Sequence, residues 1–138
     1  MVRSKYWLTE HTADVGLVAY GGTLAQAFAS AARGMFSIIT DLRMVKDTVS
    51  RQVEVSAPDT EALLFEWLNS LLYFFDVEML LFRRFDIEEL NGNRLKATCW
   101  GEKYDSSRHR LKTGIKSATY HLLTVDREKN LVRVIFDV

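Results

Sequence analysis

Asp14, Asp137 and His11 are the side chains of this 138-residue chain whose type and setting most invite chemistry. The chain finishes Phe136-Asp137-Val138, so a side-chain carboxylate, an α-carboxylate and backbone carbonyls fall within two residues. Such a crowd of oxygens must be solvated, paired with Arg or Lys, or bound to a cation. Hard oxygen donors suit Ca²⁺ or Mg²⁺ better than softer metals. Asp14 sits in Thr12-Ala13-Asp14-Val15-Gly16, a stretch otherwise apolar or small. It reads either as a turn former or edge blocker, or as a ligand held by the strand that follows, with Gly16 letting another backbone come close. His11 is either a hydrogen-bonded loop residue or a general base. A metal-dependent hydrolase using Asp14, Asp137 and His11 stays open as a rival reading, although no nucleophile motif such as G-x-S-x-G accompanies them.

The loop from Gly101 to Lys116 carries the densest run of cations, with Lys103, Arg108, Arg110, Lys112 and Lys116 beside Tyr104 and His109. It reads as a solvated hairpin loop or as a docking edge for a protein or an RNA phosphate. It is longer than most hairpin connections, which favours a role. Lys103, Arg108, His109 and Lys116 are its candidate partner-binding residues. Cys99 falls on the apolar phase of a strand and reads as a buried, inert thiol. His121 falls inside an alternating segment. No pair of His has metal-motif spacing, and no phosphate-cradling glycine loop is present.

Bulk properties narrow the classes. Lys plus Arg number 18 and Asp plus Glu 18, so no net charge draws the chain to nucleic acid. Any RNA contact must be local or made through a partner. A lone cysteine excludes an internal disulfide and a Cys-built zinc site. No apolar run approaches the ~20 residues of a membrane span, and the N-terminus lacks a signal-peptide pattern, so the expected compartment is the cytoplasm. The length suits one domain over residues 1–138.

The elements that must hold these residues follow from periodicity. Tyr6–Leu8 reads as a strand. Asp14–Tyr20 reads as a second, with Val15, Leu17 and Ala19 alternating against their neighbours. Thr23 stands three residues before Gln26, a capping-box spacing, and Leu24, Ala27, Phe28, Ala31, Met35 and Ile39 continue at helical spacing over 24–40. Residues 51–57 alternate again. Pro58-Asp59 then opens a second helix whose stripe runs from Leu64 to Phe75 and ends near Asp76. Phe82–Leu90, the turn signal Asn91-Gly92, and the strand of Leu95, Ala97 and Cys99 form a hairpin. Ser117–Val125 and Leu131–Val138 complete the chain. In the last strand Val132, Val134 and Phe136 face one way, and Arg133 and Asp137 the other. Two helices among seven strands predict an α+β fold, a two-layer sandwich of a mixed β-sheet with two helices packed on one face.

These segments together resemble the archease family. The resemblance rests on His11-Thr-Ala-Asp-Val-Gly16, Gly34-Met35-Phe36, Thr40-Asp41, Leu63-Leu-Phe-Glu-Trp-Leu-Asn69, Ala97-Thr-Cys-Trp-Gly-Glu102 and Ala118-Thr-Tyr-His121. It ends on Val132-Arg-Val-Ile-Phe-Asp-Val138 and spans nearly the whole chain. Cys99 departs from the small residue common in that motif, and Arg110 makes the loop more basic than is usual. The resemblance implies a small, non-catalytic cytoplasmic accessory protein. Its partner would be the GTP-dependent tRNA-splicing RNA ligase, which joins 3′-phosphate and 5′-hydroxyl ends, with RNA reached through the ligase. It also implies a divalent cation, Ca²⁺ with Mg²⁺ as the alternative, on Asp14, Asp137 and Val138. A second reading is a chaperone-like modulator of a tRNA cytosine-5 methyltransferase.

Overall fold

The computed structural model describes residues 5–10 and 14–138, so His11 lies outside the described residues. The strands are β1 (Lys5–Glu10), β2 (Asp14–Tyr20), β3 (Val49–Ser56), β4 (Leu80–Leu90), β5 (Arg94–Lys103), β6 (Ser117–Ala118), β7 (Thr124–Asp126) and β8 (Leu131–Asp137). The helices are α1 (Leu24–Ile39) and α2 (Thr60–Glu78), with a 3₁₀ turn at Leu42–Met44. Neither is long and apolar enough to cross a membrane.

The expected α+β class holds. Within it the strands divide into two sheets, and every pairing is antiparallel, where the strand order suggested one mixed sheet. The first sheet runs β1-β2-β8-β6, with β7 also on β8; the second runs β3-β5-β4. The division follows from α1, which packs on β2 of one sheet and β4 of the other. A helix covered on two sides needs small residues, and Ala27, Ser30, Ala31, Ala32 and Gly34 are all buried on it. At Gly34 a Cβ would lie 2.8 Å from Leu17 Cδ1, so this glycine sets how closely α1 approaches β2. The core is one cluster joining Leu17, Phe28, Phe36, Trp67, Phe82 and Phe136. The Trp67 indole N–H donates to the Phe28 carbonyl at 3.0 Å, satisfying its polar atom inside that cluster.

The local signals act as expected. The Thr23 hydroxyl accepts from Gln26 N–H at 3.2 Å, and the Gln26 side chain accepts from Thr23 N–H at 3.1 Å. Asp59 caps α2 by accepting from Ala62 N–H at 2.8 Å. The helix runs two residues beyond Asp76 and stops at Met79, in the left-handed region with φ 57°. The Asn91-Gly92 turn joins β4 to β5, closed by Asn91 N–H to the Arg94 carbonyl at 3.0 Å.

The expected strand 117–125 is instead β6 and β7. Both pair with β8, but the chain between them holds three more residues than a continuous ladder needs. The excess loops out through Leu122 at φ 55°. Tyr120 there stacks on Phe65 of α2 at 4.1 Å, so its apolar character serves a helix contact and imitates a strand alternation. Asn69 of α2 both donates to the Ala118 carbonyl and accepts from its N–H, closing the edge of β6.

Gly101 lets β4 and β5 meet, since a Cβ there would stand 1.8 Å from the Leu81 carbonyl oxygen. Backbone on backbone cannot yield cheaply. Gly101→Ala is expected to lower unfolding free energy in urea by about 2–3 kcal/mol. Gly114→Ala, where no atom lies within 4 Å of the added Cβ, is expected to stay within ~0.5 kcal/mol of the parent.

Candidate functional site

The antiparallel register of β2 on β8 sets Asp14 directly opposite Asp137. Residues opposite each other share a face, with Cβ atoms roughly 4.5–5.5 Å apart. Leu17, Ala19, Val132, Val134 and Phe136 belong to the core cluster, so alternation puts both aspartates on the outer face, as the last strand's pattern predicts. Two like charges directly opposite are destabilising. Asp14 Oδ1 is also buried and has no hydrogen-bond partner among the described residues. A buried carboxylate oxygen without a donor is costly, and a bound cation would remove both penalties.

Asp137 is tied on its other side to the long loop. Its carbonyl accepts from Lys116 N–H at 2.8 Å, and Ser117 pairs with it. Lys116 thus meets Asp137 through its backbone and its side chain is exposed, while Val138 packs partly buried against the core. The space at Gly16 is filled by β1, because a Cβ there would meet Thr9 Oγ1 at 2.1 Å. The close neighbour expected at that glycine is therefore a side chain of the next strand. Among the described residues no three His, Cys, Asp or Glu side chains gather as a metal cluster. The candidate set is two side-chain carboxylates with main-chain oxygen beside them.

The loop is anchored in mid-course to the end of α1. Thr40 Oγ1 donates to the Arg110 carbonyl at 2.7 Å, and Lys112 N–H donates to the Ile39 carbonyl at 2.7 Å. Four residues later it reaches Asp137, so the C-terminal end of α1 and the acidic pair share one end of the molecule. At its start lies a feature that sequence reasoning missed. Glu102 is 7 % exposed and accepts from Lys46 N–H at 2.8 Å, from Arg108, and from His109 Nε2 at 2.9 Å. His109 is 4 % exposed, and its Nδ1 accepts from Asp105 N–H at 2.9 Å. An accepting Nδ1 puts the ring proton on Nε2, aimed at Glu102 and the Met44 carbonyl.

The four residues proposed for docking therefore have different settings. His109 is buried, and Arg108 is bound to Glu102 and lies 3.7 Å from Asp105. Lys103 and Lys116 are exposed. Lys103 and Arg108 line a groove of about 670 Å³ with Thr48, Tyr104 and Asp105. No periodicity marks Glu102 as buried; its only sequence signal is an acid that directly follows a buried strand phase at Cys99 and Gly101. The other titratable groups fit structural roles. Burial pushes the Cys99 thiol far above its ordinary value, which keeps it unreactive. Hydrogen bonds from Arg43 hold the Asp41 carboxyl down at about 2. His121 is exposed in the turn between β6 and β7, outside the strand expected for it.

Residues 6–138 match the profile of the Archease protein family. A curated "Protein archease" of Sulfurisphaera tokodaii is 38 % identical over 136 residues, covering 97 % of each chain. One from Thermococcus gammatolerans is 43 % identical over 121 residues, 86 % of this chain and 85 % of that one. The solution structure of Methanobacterium thermoautotrophicum Protein 1598 superposes with a TM-score of 0.79 at 33 % identity, over 96 % of this chain and 98 % of that one. A Thermotoga maritima structure described as an archease and possible chaperone shares the fold, with a TM-score of 0.61 at 24 % identity and 94 % of each chain covered.

Burial raises the Glu102 carboxyl, but the bonds from Lys46, Arg108 and His109 outweigh it and leave it below the ordinary value of 4.5. A lowered folded value means stability that is present above the unfolded value and lost as pH falls through the folded one. Thermal melts from pH 7 downward are therefore expected to lose part of their stability below about pH 4.5 in the parent. Glu102→Gln should cost about 1.5–3 kcal/mol at pH 7 and show a shallower acid limb.

Proposed function

The chain belongs to the archease family, and from that premise we propose that it is a non-catalytic accessory protein that activates the GTP-dependent tRNA-splicing RNA ligase. In this reading it promotes guanylylation of the ligase and its repeated turnover in joining 3′-phosphate to 5′-hydroxyl ends. The observation that carries the reading is the Asp14–Asp137 pair, whose Asp14 Oδ1 has no donor among the described residues. An acidic pair built onto two core strands suits a divalent cation, Ca²⁺ or Mg²⁺, held by Asp14, Asp137 and a main-chain oxygen of Val138. A bound cation supplies positive charge that relieves the carboxylate repulsion and that phosphate oxygens can share.

The chain's own residues do the rest. β2 and β8 fix the two carboxylates rigidly, because each strand is anchored by core side chains on its inner face. The loop carries Lys116, bonded to Asp137 through its backbone, and Lys103 nearer its start, exposed cations available to a partner's acidic or phosphate groups. Arg108 and His109 act one step removed: bound to Glu102, they hold the loop's course.

The description of the Thermotoga maritima relative as a possible chaperone supports a second reading. There the same end steadies a partner, such as a tRNA methyltransferase, without taking part in metal-assisted chemistry. A cation-free variant separates the two.

Asp137→Asn keeps the side-chain volume and removes one charge. Saturating Ca²⁺ at about 100 times its Kd should stabilise the parent by ~2.7 kcal/mol, read as a rise in Tm, and EDTA should reverse it. The variant should lose this rise and the stimulation of guanylylation, while melting no lower than the parent in EDTA. Full stimulation by a variant blind to Ca²⁺ would remove the cation from the mechanism and leave the chaperone-like reading. Lys103→Glu with Lys116→Glu is expected to weaken stimulation about tenfold or more (~1.4 kcal/mol), with Tm unchanged.

A further inference from the structure

Each sheet has one face turned away from the helices, and the two faces differ in chemistry. On the second sheet Arg94 is bound to Glu54, Arg84 lies near Asp47 and Asp86, and Arg84 also covers the Trp100 ring at 4.5 Å. That face is charge-neutralised and its aromatic is shielded. On the first sheet the register builds successive rows on the outer face: Lys5 with Tyr20 and Leu131, Trp7 with Val18 and Arg133, Thr9 with Gly16 and Ile135, and Asp14 with Asp137. Trp7 is 49 % exposed although it lies in a strand. Tyr20 stands 6.0 Å from it, ring to ring, and Lys5 Nζ lies 5.7 Å from the Tyr20 ring. Arg133 is exposed and has no ion pair among the described residues. Asp126, which shares the Leu131 row, has its carboxylate engaged by the N–H groups of Glu128 and Lys129.

We propose that this outer face is a platform for single-stranded nucleic acid, with a base stacked on Trp7 and flanking phosphates taken by Lys5 and Arg133. A half-exposed indole with two cations near it, neither in an ion pair among the described residues, on a rigid antiparallel sheet, matches the two needs of such a strand: a flat apolar surface for the base and positive charge for the backbone. The neutral total charge does not oppose it, because Lys5 and Arg133 lie on rows of the face set apart from the Asp14–Asp137 row. The Arg133 row lies about 13 Å from the Asp14–Asp137 row, four strand residues away, so a strand crossing the face would run toward the acidic pair. The chain would then touch RNA directly, beyond the indirect contact expected from its sequence. The inference does not rest on the ligase reading, and its test contains no ligase.

Fluorescence anisotropy of a short labelled oligoadenylate RNA, titrated with the full chain at low salt, tests it. The parent should bind, and log Kd should rise with log salt with a slope of about 1.4, as for two phosphates on a single strand. Trp7→Ala and Arg133→Glu should each weaken binding about tenfold or more, the ~1.4 kcal/mol expected at least from one stacked base or one phosphate contact. Trp7→Phe should restore most of the loss, and duplex RNA should compete poorly. Melting curves matching the parent exclude unfolding as the cause. Absence of binding by the parent, or parental affinity in both variants, would overturn the proposal. So would a concentration-dependent dimer that Trp7→Ala dissociates while RNA fails to bind, which would assign the face to a second copy.

Discussion

The pairing of β2 with β8 joins segments more than a hundred residues apart in the chain, and the candidate site depends on it. Closing so long a loop costs entropy that the inner face must offset. It does so with Leu17, Ala19, Val132, Val134 and Phe136, all buried in the core. Side chains alternate strictly along a strand, so the register that seats these five inside also forces Asp14 against Asp137 outside. Two unit charges 4 Å apart repel by about 1 kcal/mol in water and several times more where water is partly excluded. The stability of the inner face thus holds an electrostatic conflict in place at the outer one, and a conflict of this sign is what a cation relieves.

The molecule holds a second low-exposure carboxylate, and the contrast is instructive. Glu102 receives donors from a backbone N–H, a guanidinium and an imidazole. Asp14 keeps an oxygen with none among the described residues. A carboxylate whose acceptor sites are filled from within organises its surroundings, here the start of the long loop. One with an unfilled site is suited to bind something else. The two acids share a residue class and a strand-end position, yet the donors around them differ.

Helix α1 connects these features. Its small residues let both sheets close on it, and its C-terminal end anchors the loop through Ile39 and Thr40. The acidic pair, the loop and the exposed lysines therefore gather at one end. The outer face of the first sheet, turned away from the helices, carries Trp7, Tyr20 and Arg133 beyond the acidic pair, with Trp7 and Arg133 exposed. A sandwich in which one helix serves two sheets necessarily leaves two outer sheet faces, and the side chains placed there are released from core packing.

Local rules made much of this legible in advance. The capping box at Thr23, the cap at Asp59, the limits of Asp14–Tyr20, the Asn91-Gly92 turn and the facing of Val132, Val134 and Phe136 all follow from residue type and period. Each depends on neighbours within a few positions. The tertiary structure alone decided that the strands form two sheets, that Ser117–Val125 splits, that His109 is buried on Glu102, and that Asp14 pairs in register with Asp137 with an oxygen unfilled by any described residue. These outcomes turn on which apolar faces meet across long separations, and on the donors that burial brings near a given oxygen. Periodicity tells a strand which side is wet, but only packing chooses its partner.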